Sequence, residues 1–479
     1  MSHLVNHGRR VRKLREQRGL TQAALAEKMA ISPSYLNQIE NDTRPLNKRV
    51  LTKLELALGV DFTDWAEDED RRANLLREAL NDPLFRGADI PTQELREAVS
   101  ASPRVADRFL QLFRAHQRLQ NDYQTLAESI AGEERIKALH GAQFPYEDVR
   151  DFFYRRNNHI EAIDAAAENL FEEQNFNIDD LQSDLANYLL HHHNITVKLA
   201  SENSGNLQKR YDAENRILYI GKPSSPSRRA FHIAHQIGLL IYGKMIDREI
   251  ENSDLASLQA RSICRVGLAN YFAGALLMPY TRFLNDAKEL RYDIERLCGL
   301  YGNSFEQVCH RLSTLQRPGD KGVPFYFVRV DIAGNISKRQ SATSFHFARL
   351  GGVCPLWNVH EAFSSPGKIL RQLAEMPDGK TYLCLARTVY ESGGNYLKPE
   401  RKFAIGLGCE IRHANQLVYA TGLDLENPEA VEPIGVSCRV CERPNCPQRA
   451  FPPLSRRLTI SENARSAFPY PFEKSEDQS

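Results

Sequence analysis

Apolar residues recur at helical spacing near the start of the chain. Leu25 and Met29 lie four positions apart, about one turn of an α-helix, with Glu27 and Lys28 between them. Gly19 interrupts the preceding run, and Thr21 supplies a hydroxyl that can cap a new helix. Across residues 11–58 the pattern predicts four or five short helices.

A second helix start follows at Ser32. Its hydroxyl can accept a hydrogen bond from a helix amide, and Pro33 stands in the first turn, where no amide donor is lost. Leu36 and Ile39 then face inward, which turns the polar residues of this helix outward. The outward-facing residues are Ser34, Tyr35, Asn37 and Gln38.

The chemistry of this outward face, together with the local charge, indicates nucleic acid. Amide and hydroxyl groups read base edges and phosphates, and a helix of this length fits a major groove. Residues 1–60 contain eleven Lys/Arg and five Asp/Glu, whereas the whole chain has a net charge of +1, so the remainder is acidic by five. A basic module on a mildly acidic body is typical of a domain that meets phosphates. A small helical bundle with a polar surface is the alternative.

Two motifs carry a resemblance to a known DNA-binding family. Residues 20–26 (LTQAALA) and 34–40 (SYLNQIE) resemble the phage-repressor (Cro/C1, or XRE) helix-turn-helix, over residues 6–63. The resemblance implies a five-helix domain in which residues 32–38 form the recognition helix, Gln22 grips a phosphate, and Thr43 and Arg44 touch the DNA backbone. Such domains usually bind as pairs, so we expect a homodimer or a higher even oligomer.

Residues 68–142 are charged and of helical pattern, which predicts a helical connector. An apolar stripe runs along it, and core packing and a dimer seam explain this stripe equally well. The stripe consists of Phe109, Leu112, Phe113, Leu119, Tyr123 and Leu126.

The middle of the chain, residues 145–320, has the outline of a protease without its chemistry. Residues 227–239 (SRRAFHIAHQIGL) and 269–279 (ANYFAGALLMP) are similar to the ImmA/IrrE zinc metallopeptidases. Those enzymes need His-Glu-x-x-His on one helix, because two imidazoles hold Zn²⁺ while the Glu takes a proton from the bound water. Here the frame reads His235, Gln236 and Leu239, so the base is an amide and the second ligand is a leucine.

The resemblance therefore implies an α+β domain with the cleft of a peptidase, and we expect no enzyme activity. A cleft of this kind could hold an anionic small molecule. The alternative is that the candidate residues are ordinary core and surface residues of a vestigial scaffold. The candidate ligand-binding residues are Arg228, Arg229, His232, His235 and Tyr271.

After a turn signal at residues 318–322, β-rich runs at 325–331, 382–389 and 402–407 predict a C-terminal α+β sensor domain over residues 321–472. Near its end Cys438, Cys441 and Cys446 form a Cys-x2-Cys-x4-Cys knuckle, which suits a [4Fe–4S] cluster or Zn²⁺. Cys409 is the candidate fourth ligand. A redox-active thiol pair and a structural role are the alternatives.

The other five cysteines stand singly among apolar neighbours, which is typical of reduced core thiols. They are Cys264, Cys298, Cys309, Cys354 and Cys384.

The order of these parts resembles the short-chain fatty acyl transcriptional regulators (ScfR family) over almost the whole chain. Residues 351–363 (GGVCPLWNVHEAF), 408–410 (GCE) and 438–450 (CRVCERPNCPQRA) carry the match. It implies a multidomain, mainly α protein that binds operator DNA, responds to a short-chain acyl-CoA and regulates acetate, propionate, glyoxylate, methylcitrate or ethylmalonyl-CoA metabolism. Some members hold a [4Fe–4S] cluster in the terminal domain.

Two other functions compete with this interpretation. One is a redox-sensing regulator whose cysteine cluster is the primary input. The other is a metallopeptidase that cleaves a repressor, against which Gln236 and Leu239 argue. No apolar run approaches the roughly 18 residues that span a bilayer, so we expect a cytoplasmic protein without membrane contact.

Overall fold

The computed structural model describes residues 8–41, 43, 48–58, 63–80, 82, 85, 90–129, 145–200, 207–221, 225–345, 347, 353–391, 400–441, 443–453, 457–461, 463–464, 467–468 and 470–472. About half of the chain is helical, and sheets appear after residue 195. The predicted multidomain architecture, mainly α with an α+β C-terminal part, is confirmed.

Four short helices form the N-terminal region and surround one small core of Val11, Leu25, Leu36, Ile39 and Leu54. The predicted caps are confirmed, since Thr21 accepts from the Ala24 amide at 3.2 Å and Ser32 from the Tyr35 amide at 3.1 Å. Gly19 joins the first two helices with a φ of +65°, a left-handed conformation that favours glycine. The four helices are α1 (Gly8–Gln17), α2 (Gln22–Lys28), α3 (Pro33–Glu40) and α4 (Lys48–Leu58).

The connector is helical, as predicted, within the described ranges. Phe113 is buried in a separate core that also contains Leu76 and Leu95, whereas Leu112 is 69% exposed. The described part of the apolar stripe is therefore divided between core and surface, while the side chains of Leu119, Tyr123 and Leu126 lie outside the description. Its helices are α5 (Thr63–Leu80), α6 (Thr92–Ala101) and α7 (Pro103–Ser129).

The middle of the chain packs around one long buried helix, which contacts other helices on several sides. A three-stranded sheet of order β1-β3-β2 packs against two further helices of this region, α10 and α11. β1 is parallel to β3, and β2 is antiparallel to it. The elements are α8 (Pro145–Tyr154), α9 (Glu161–Glu173), α10 (Leu181–His193), β1 (Thr196–Leu199), β2 (Lys209–Asp212), β3 (Ile217–Ile220), α11 (Pro226–Leu240), α12 (Gly243–Glu251), the buried α13 (Leu258–Leu277), α14 (Tyr280–Glu289), α15 (Ile294–Tyr301) and α16 (Phe305–Leu312).

The C-terminal part is built on a six-stranded sheet of order β11-β8-β9-β10-β6-β7, in which only the β11–β8 pair is parallel. The β-rich runs of the sequence correspond to β6, β9 and β10. The elements are β4 (Gln316–Arg317), β5 (Asp320–Lys321), β6 (Tyr326–Asp331), β7 (Ile336–Ser341), α17 (Asn358–Glu361), β8 (Leu370–Glu375), β9 (Thr381–Glu391), β10 (Arg401–Glu410), α18 (Ile411–Ala414) and β11 (Val431–Pro433).

Both faces of this sheet are buried. Successive residues of a strand point to opposite sides, so one strand contributes side chains to a core on each face. On β6, Phe327 faces the helices α14 to α16, and Tyr326 and Val328 face an aromatic cluster with Trp357 and Tyr382. The core shared by the sheet and α14 to α16 spans residues on both sides of position 320.

Candidate nucleic-acid interface and effector region

Helix α3, the predicted recognition helix, presents the polar face that the sequence predicted. Ser34, Asn37 and Gln38 are exposed, and Tyr35 is half-buried, while Leu36 and Ile39 are buried. The cap Ser32 is also exposed at the N-terminus of α3. Amide and hydroxyl groups are therefore displayed together on one short helix, the arrangement used to read base edges in a major groove.

A buried ion pair, which the sequence analysis missed, holds the helices of this region together. Glu40 at the end of α3 accepts hydrogen bonds from Arg15 Nε at 2.6 Å and Nη2 at 3.0 Å. Arg15 also donates to the Leu20 carbonyl at 2.9 Å, which fixes the turn between α1 and α2. The pKa of Arg15 is raised, chiefly by its hydrogen bond with Glu40. The charge pair therefore sets the position of α3 relative to α1.

Gln22 at the start of α2 joins this network. Its amide nitrogen donates to Glu40 Oε2 at 3.0 Å and to Asn37 Oδ1 at 3.2 Å. Gln22 thus orients Asn37 on α3, and a phosphate contact by Gln22 stays a prediction. Thr43 is exposed and donates to the Gln38 carbonyl at 2.9 Å, and Arg44 lies outside the described residues.

In the middle region of the chain, a lysine meets the helix that carries His232 and His235. Lys209 on β2 points its ammonium at α11, where Nζ lies 2.5 Å from Nδ1 of His235 and 2.9 Å from Oε1 of Gln236. Burial lowers the pKa of Lys209 to about 8. Burial, followed by the charge of Lys209, lowers the pKa of His232 to about 4 and that of His235 to about 3. At neutral pH an ammonium therefore faces two neutral imidazoles.

The five candidate ligand residues of this domain do not share one surface. His232 and His235 lie on the face of α11 toward Lys209, whereas Arg228 is exposed at the start of α11 and Arg229 is half-buried. Tyr271 on α13 is only 4% exposed, so the prediction that it lines a ligand cleft is wrong. It points into the core because its hydroxyl donates to Asp164.

Tyr271 belongs to a buried charge network. Its hydroxyl lies 2.6 Å from Asp164 Oδ2, and Arg311 on α16 binds both carboxylate oxygens of Asp164, at 2.7 and 3.0 Å. Burial alone would raise the pKa of Asp164, but Arg311 and the hydrogen bonds from His159, Arg311 and Tyr271 hold that pKa well below its usual value. The network ties α9 and α13 to α16, the helix against which the C-terminal sheet packs.

Four cysteines line one small cavity near the end of the chain. Three are the predicted Cys438, Cys441 and Cys446, and the fourth is Cys354. Cys409 lies instead in β10, opposite Leu383 and fully buried, so its assignment to this cluster is corrected. The strand carries Cys409 into the core under α14 to α16, whereas the loop before α17 brings Cys354 to the knuckle.

Hydrogen-bond donors and a positive charge lie beside these sulfurs. The Ala450 amide donates to Cys438 Sγ at 3.4 Å. Arg449, only 4% exposed, donates to the Cys438 and Cys441 carbonyls at 3.2 and 3.1 Å, which brings a positive charge to the knuckle. A Cβ on Gly435 would stand 2.9 Å from Cys441 Sγ, so only glycine fits there. As the sulfurs stand, no group of three or more His, Cys, Asp or Glu in the described ranges could hold a metal ion.

Within the described part of the chain, no helix is both long and apolar enough to cross a membrane.

Comparison with known proteins places each region. Residues 11–65 match the family described as "Helix-turn-helix", and residues 190–313 match the family described as "IrrE N-terminal-like domain". Residues 314–470 match the family described as "Short-chain fatty acyl coenzyme A regulator, C-terminal". The chain is therefore a DNA-binding transcriptional regulator with an IrrE-like domain in its middle.

Similar proteins cover nearly the full length. The HTH-type transcriptional regulator RamB of Mycobacterium tuberculosis is 46% identical over 97% of this chain and 98% of its own, and PrpR of the same species is 42% identical over 97% and 95%. The propionyl-CoA carboxylase regulator of Cereibacter sphaeroides is 43% identical over 98% and 99%. A solved Mycobacterium tuberculosis transcriptional regulator, 48% identical, covers 69% of this chain and 100% of its own with a TM-score of 0.67. This chain belongs to the short-chain fatty acyl coenzyme A regulator family.

Proposed function

We propose that this protein binds operator DNA sequence-specifically, regulates genes of short-chain acyl metabolism, and changes its operator affinity when it binds a short-chain acyl-CoA. The observation that carries the proposal is the exposed amide face of α3, held by the Ser32 cap and the Arg15–Glu40 pair. Acetate, propionate, glyoxylate, methylcitrate and ethylmalonyl-CoA pathways are the expected targets.

The relatives support the metabolic part. A protein 43% identical is named a propionyl-CoA carboxylase regulator, and the C-terminal match carries the description of a short-chain fatty acyl coenzyme A regulator. An acyl-CoA offers phosphates for arginines and a short apolar tail for a pocket. If the ligand binds one arrangement of a dimer more tightly than another, it shifts the population that fits two half-sites.

The IrrE-like domain serves in this proposal as a scaffold and not as a peptidase. Gln236 cannot accept the proton that the glutamate of the peptidases takes, and Leu239 cannot bind a metal. The ammonium of Lys209 also meets His235 where the peptidases hold a dication. A divalent metal would have to displace this lysine.

The cysteine pocket is the proposed place of a [4Fe–4S] cluster or Zn²⁺, with Cys354 joining Cys438, Cys441 and Cys446. A bound cluster or zinc ion would cross-link the loop before α17 to the terminal cysteine knuckle and so stabilise this end of the protein. The residues of this chain contribute the amide of Ala450 toward one sulfur and the charge of Arg449. The same pocket favours redox sensing as a second candidate function, in which loss of the group changes DNA binding.

The test selects duplexes from a randomised library with the full chain, then measures their affinity by fluorescence anisotropy with acetyl-, propionyl-, crotonyl-CoA and free CoA. Asn37→Ala/Gln38→Ala is expected to lower the affinity for selected duplexes about 30-fold or more, since each of the two base contacts contributes about 1–3 kcal/mol. The matched control, Gln259→Ala/Asn285→Ala, removes exposed amides of α13 and α14 and should leave affinity unchanged.

If both double variants bind equally well, α3 is not the reading helix. If no acyl-CoA changes affinity, but air oxidation of anaerobically purified protein does, redox sensing replaces acyl-CoA gating.

A further inference from the structure

An arginine-rich cleft lies between the connector and the body of the protein. It has a volume of about 460 Å³ and is formed by α5 and α7 on one side and by α8 and the segment after α12 on the other. This volume is within the range of small-molecule sites, roughly 300–1,000 Å³. The charged lining residues are Arg71, Arg72, Arg104, Asp107, Arg108, Arg114, Asp151, Arg155 and Asp254.

Three of the six arginines are neutralised within the cleft. Arg72 pairs with Asp107 at 3.2 Å, Arg114 with Asp151 at 2.8 Å, and Arg155 with Asp254 at 3.1 Å. Each aspartate of the lining thus has its own arginine, and the lining retains three positive charges. Asp148 borders the adjoining cavity and reduces this excess by one at that end.

The three remaining arginines, Arg71, Arg104 and Arg108, have no carboxylate partner among the described residues. Arg108 donates only to the Gln111 side chain, at 2.8 Å. Arg71 is 7% exposed and donates to the Tyr154 carbonyl at 3.2 Å, with its guanidinium 4.3 Å from the centre of the Tyr154 ring. The Nε of Arg71 is buried without a hydrogen-bond partner.

A buried guanidinium without a counter-charge is unfavourable, because its hydration is lost and no anion replaces it. Arg71 therefore marks a position where an anion would be stabilised. Phosphate is the suitable anion, since a guanidinium binds its oxygens in pairs.

A recess opens from the same cleft. It shares Leu75, Asp151 and Tyr154 with the arginine-rich part, and Phe345 and Phe347 from the segment after β7 add aromatic carbon. Charged groups of both signs also line it, namely Glu78, Asp151, Arg150 and Arg339. The whole site thus offers cations at one end and, at the other, aromatic carbon beside charged groups of both signs. This combination fits an organic molecule that carries phosphates better than a free inorganic ion.

We propose that this cleft binds the phosphate groups of a small organic ligand and thereby fastens the connector to the body. Both sides of the site would hold the ligand, with Arg71, Arg104 and Arg108 from the connector and the Tyr154 region from α8. Because α5 follows the DNA-binding helices directly, a bound ligand would restrict how those helices sit relative to the body. The inference does not require acyl-CoA to be the effector, since nucleotides carry the same phosphate chemistry.

The experiment is isothermal titration of the full chain with CoA, ATP and inorganic pyrophosphate. At least one of them is expected to bind with a Kd below about 1 mM. Arg104→Gln/Arg108→Gln alters two exposed arginines of the cleft and should weaken binding tenfold or more, because charge-assisted contacts are lost. Arg282→Gln/Arg296→Gln removes two exposed arginines from α14 and α15 and is expected to leave binding unchanged.

Binding of CoA, of ATP or of both, weakened by Arg104→Gln/Arg108→Gln, supports the site. Binding of pyrophosphate alone overturns the proposal of an organic ligand. Absence of binding by all three, or equal binding by both double variants, overturns it. If Arg104→Gln/Arg108→Gln weakens only duplex binding, the cleft is a DNA phosphate contact and the proposal is also overturned. The proposed acyl-CoA gating is tested independently of this site. If phosphate ligands bind this cleft but no acyl-CoA alters operator affinity, the gating proposal is wrong and the cleft proposal stands.

Discussion

Replacing Glu40 by glutamine should destabilise the DNA-binding region while the stability of the rest of the protein stays unchanged. The side chain of Glu40 is 2% exposed and accepts three hydrogen bonds, two from Arg15 and one from Gln22. The variant Glu40→Gln keeps the shape of the side chain but removes its charge. Arg15, whose side chain is 11% exposed, then remains without its buried counter-charge.

The expected loss follows from this burial. Removing one partner of a buried pair costs about 3–5 kcal/mol, and the slight exposure of Arg15 places the value near about 3 kcal/mol. A region of this size has a free energy of unfolding of only about 3–8 kcal/mol, from roughly 0.05–0.15 kcal/mol per residue. The substitution therefore removes a large part of its stability.

The chain offers a matched control on the same arginine. Glu16 lies 3.8 Å from Arg15 and 3.0 Å from Arg12, and its side chain is 54% exposed. An exposed pair contributes about 0–1 kcal/mol, so Glu16→Gln should change little.

Limited proteolysis of the full chain over a temperature series measures the unfolding of residues 1–62 independently of DNA contacts. We expect cleavage in this segment to begin roughly 10–20 °C lower in Glu40→Gln than in the wild type, with Glu16→Gln close to wild type. Equal cleavage temperatures for Glu40→Gln and the wild type would refute the stabilising role of the buried pair.

Three further predictions concern the body of the protein. Asp164→Asn should destabilise it by about 3–5 kcal/mol at neutral pH, measured by urea denaturation. The pKa of Asp164 is held low in the folded protein, so below about pH 4 the unfolded wild type takes up a proton that the folded wild type does not. The difference in unfolding free energy between wild type and variant should therefore shrink as the pH falls below about 4. A difference that stays constant with pH would contradict the pairing. Lys209→Met should raise the pKa of His235 in an NMR titration, although burial keeps that pKa below its ordinary value, and an unchanged pKa would show that Lys209 does not act on it. Cys441→Ser should lower the metal content of anaerobically purified protein, whereas Cys298→Ser, outside the pocket, should not; equal metal in both would remove the proposed centre.

Local signals in the sequence were sufficient for the helices and strands. The caps Thr21 and Ser32 act on amides three residues away, so their effect is encoded within one turn. The polar face of α3 follows from the spacing of Leu36 and Ile39. The strands β6, β9 and β10 appear as short runs of β-branched and aromatic residues.

Contacts between distant residues could not be predicted in this way. Lys209 reaches His235 from another element, and a lone lysine in a polar strand carries no signal of that contact. Cys354 has apolar neighbours in sequence, which predicted a core thiol, yet the loop before α17 brings it to the terminal knuckle. Cys409 illustrates the reverse, because its strand buries it in the sheet.

The central claim, that ligand and operator binding are coupled, is tested most directly by measuring both affinities in both states. The operator Kd is determined with and without saturating acyl-CoA, and the acyl-CoA Kd with and without saturating operator. Thermodynamic linkage requires that acyl-CoA change the operator Kd by the same factor by which the operator changes the acyl-CoA Kd. We expect this factor to be about 5–150. An operator Kd that stays the same with every acyl-CoA tested would contradict the account.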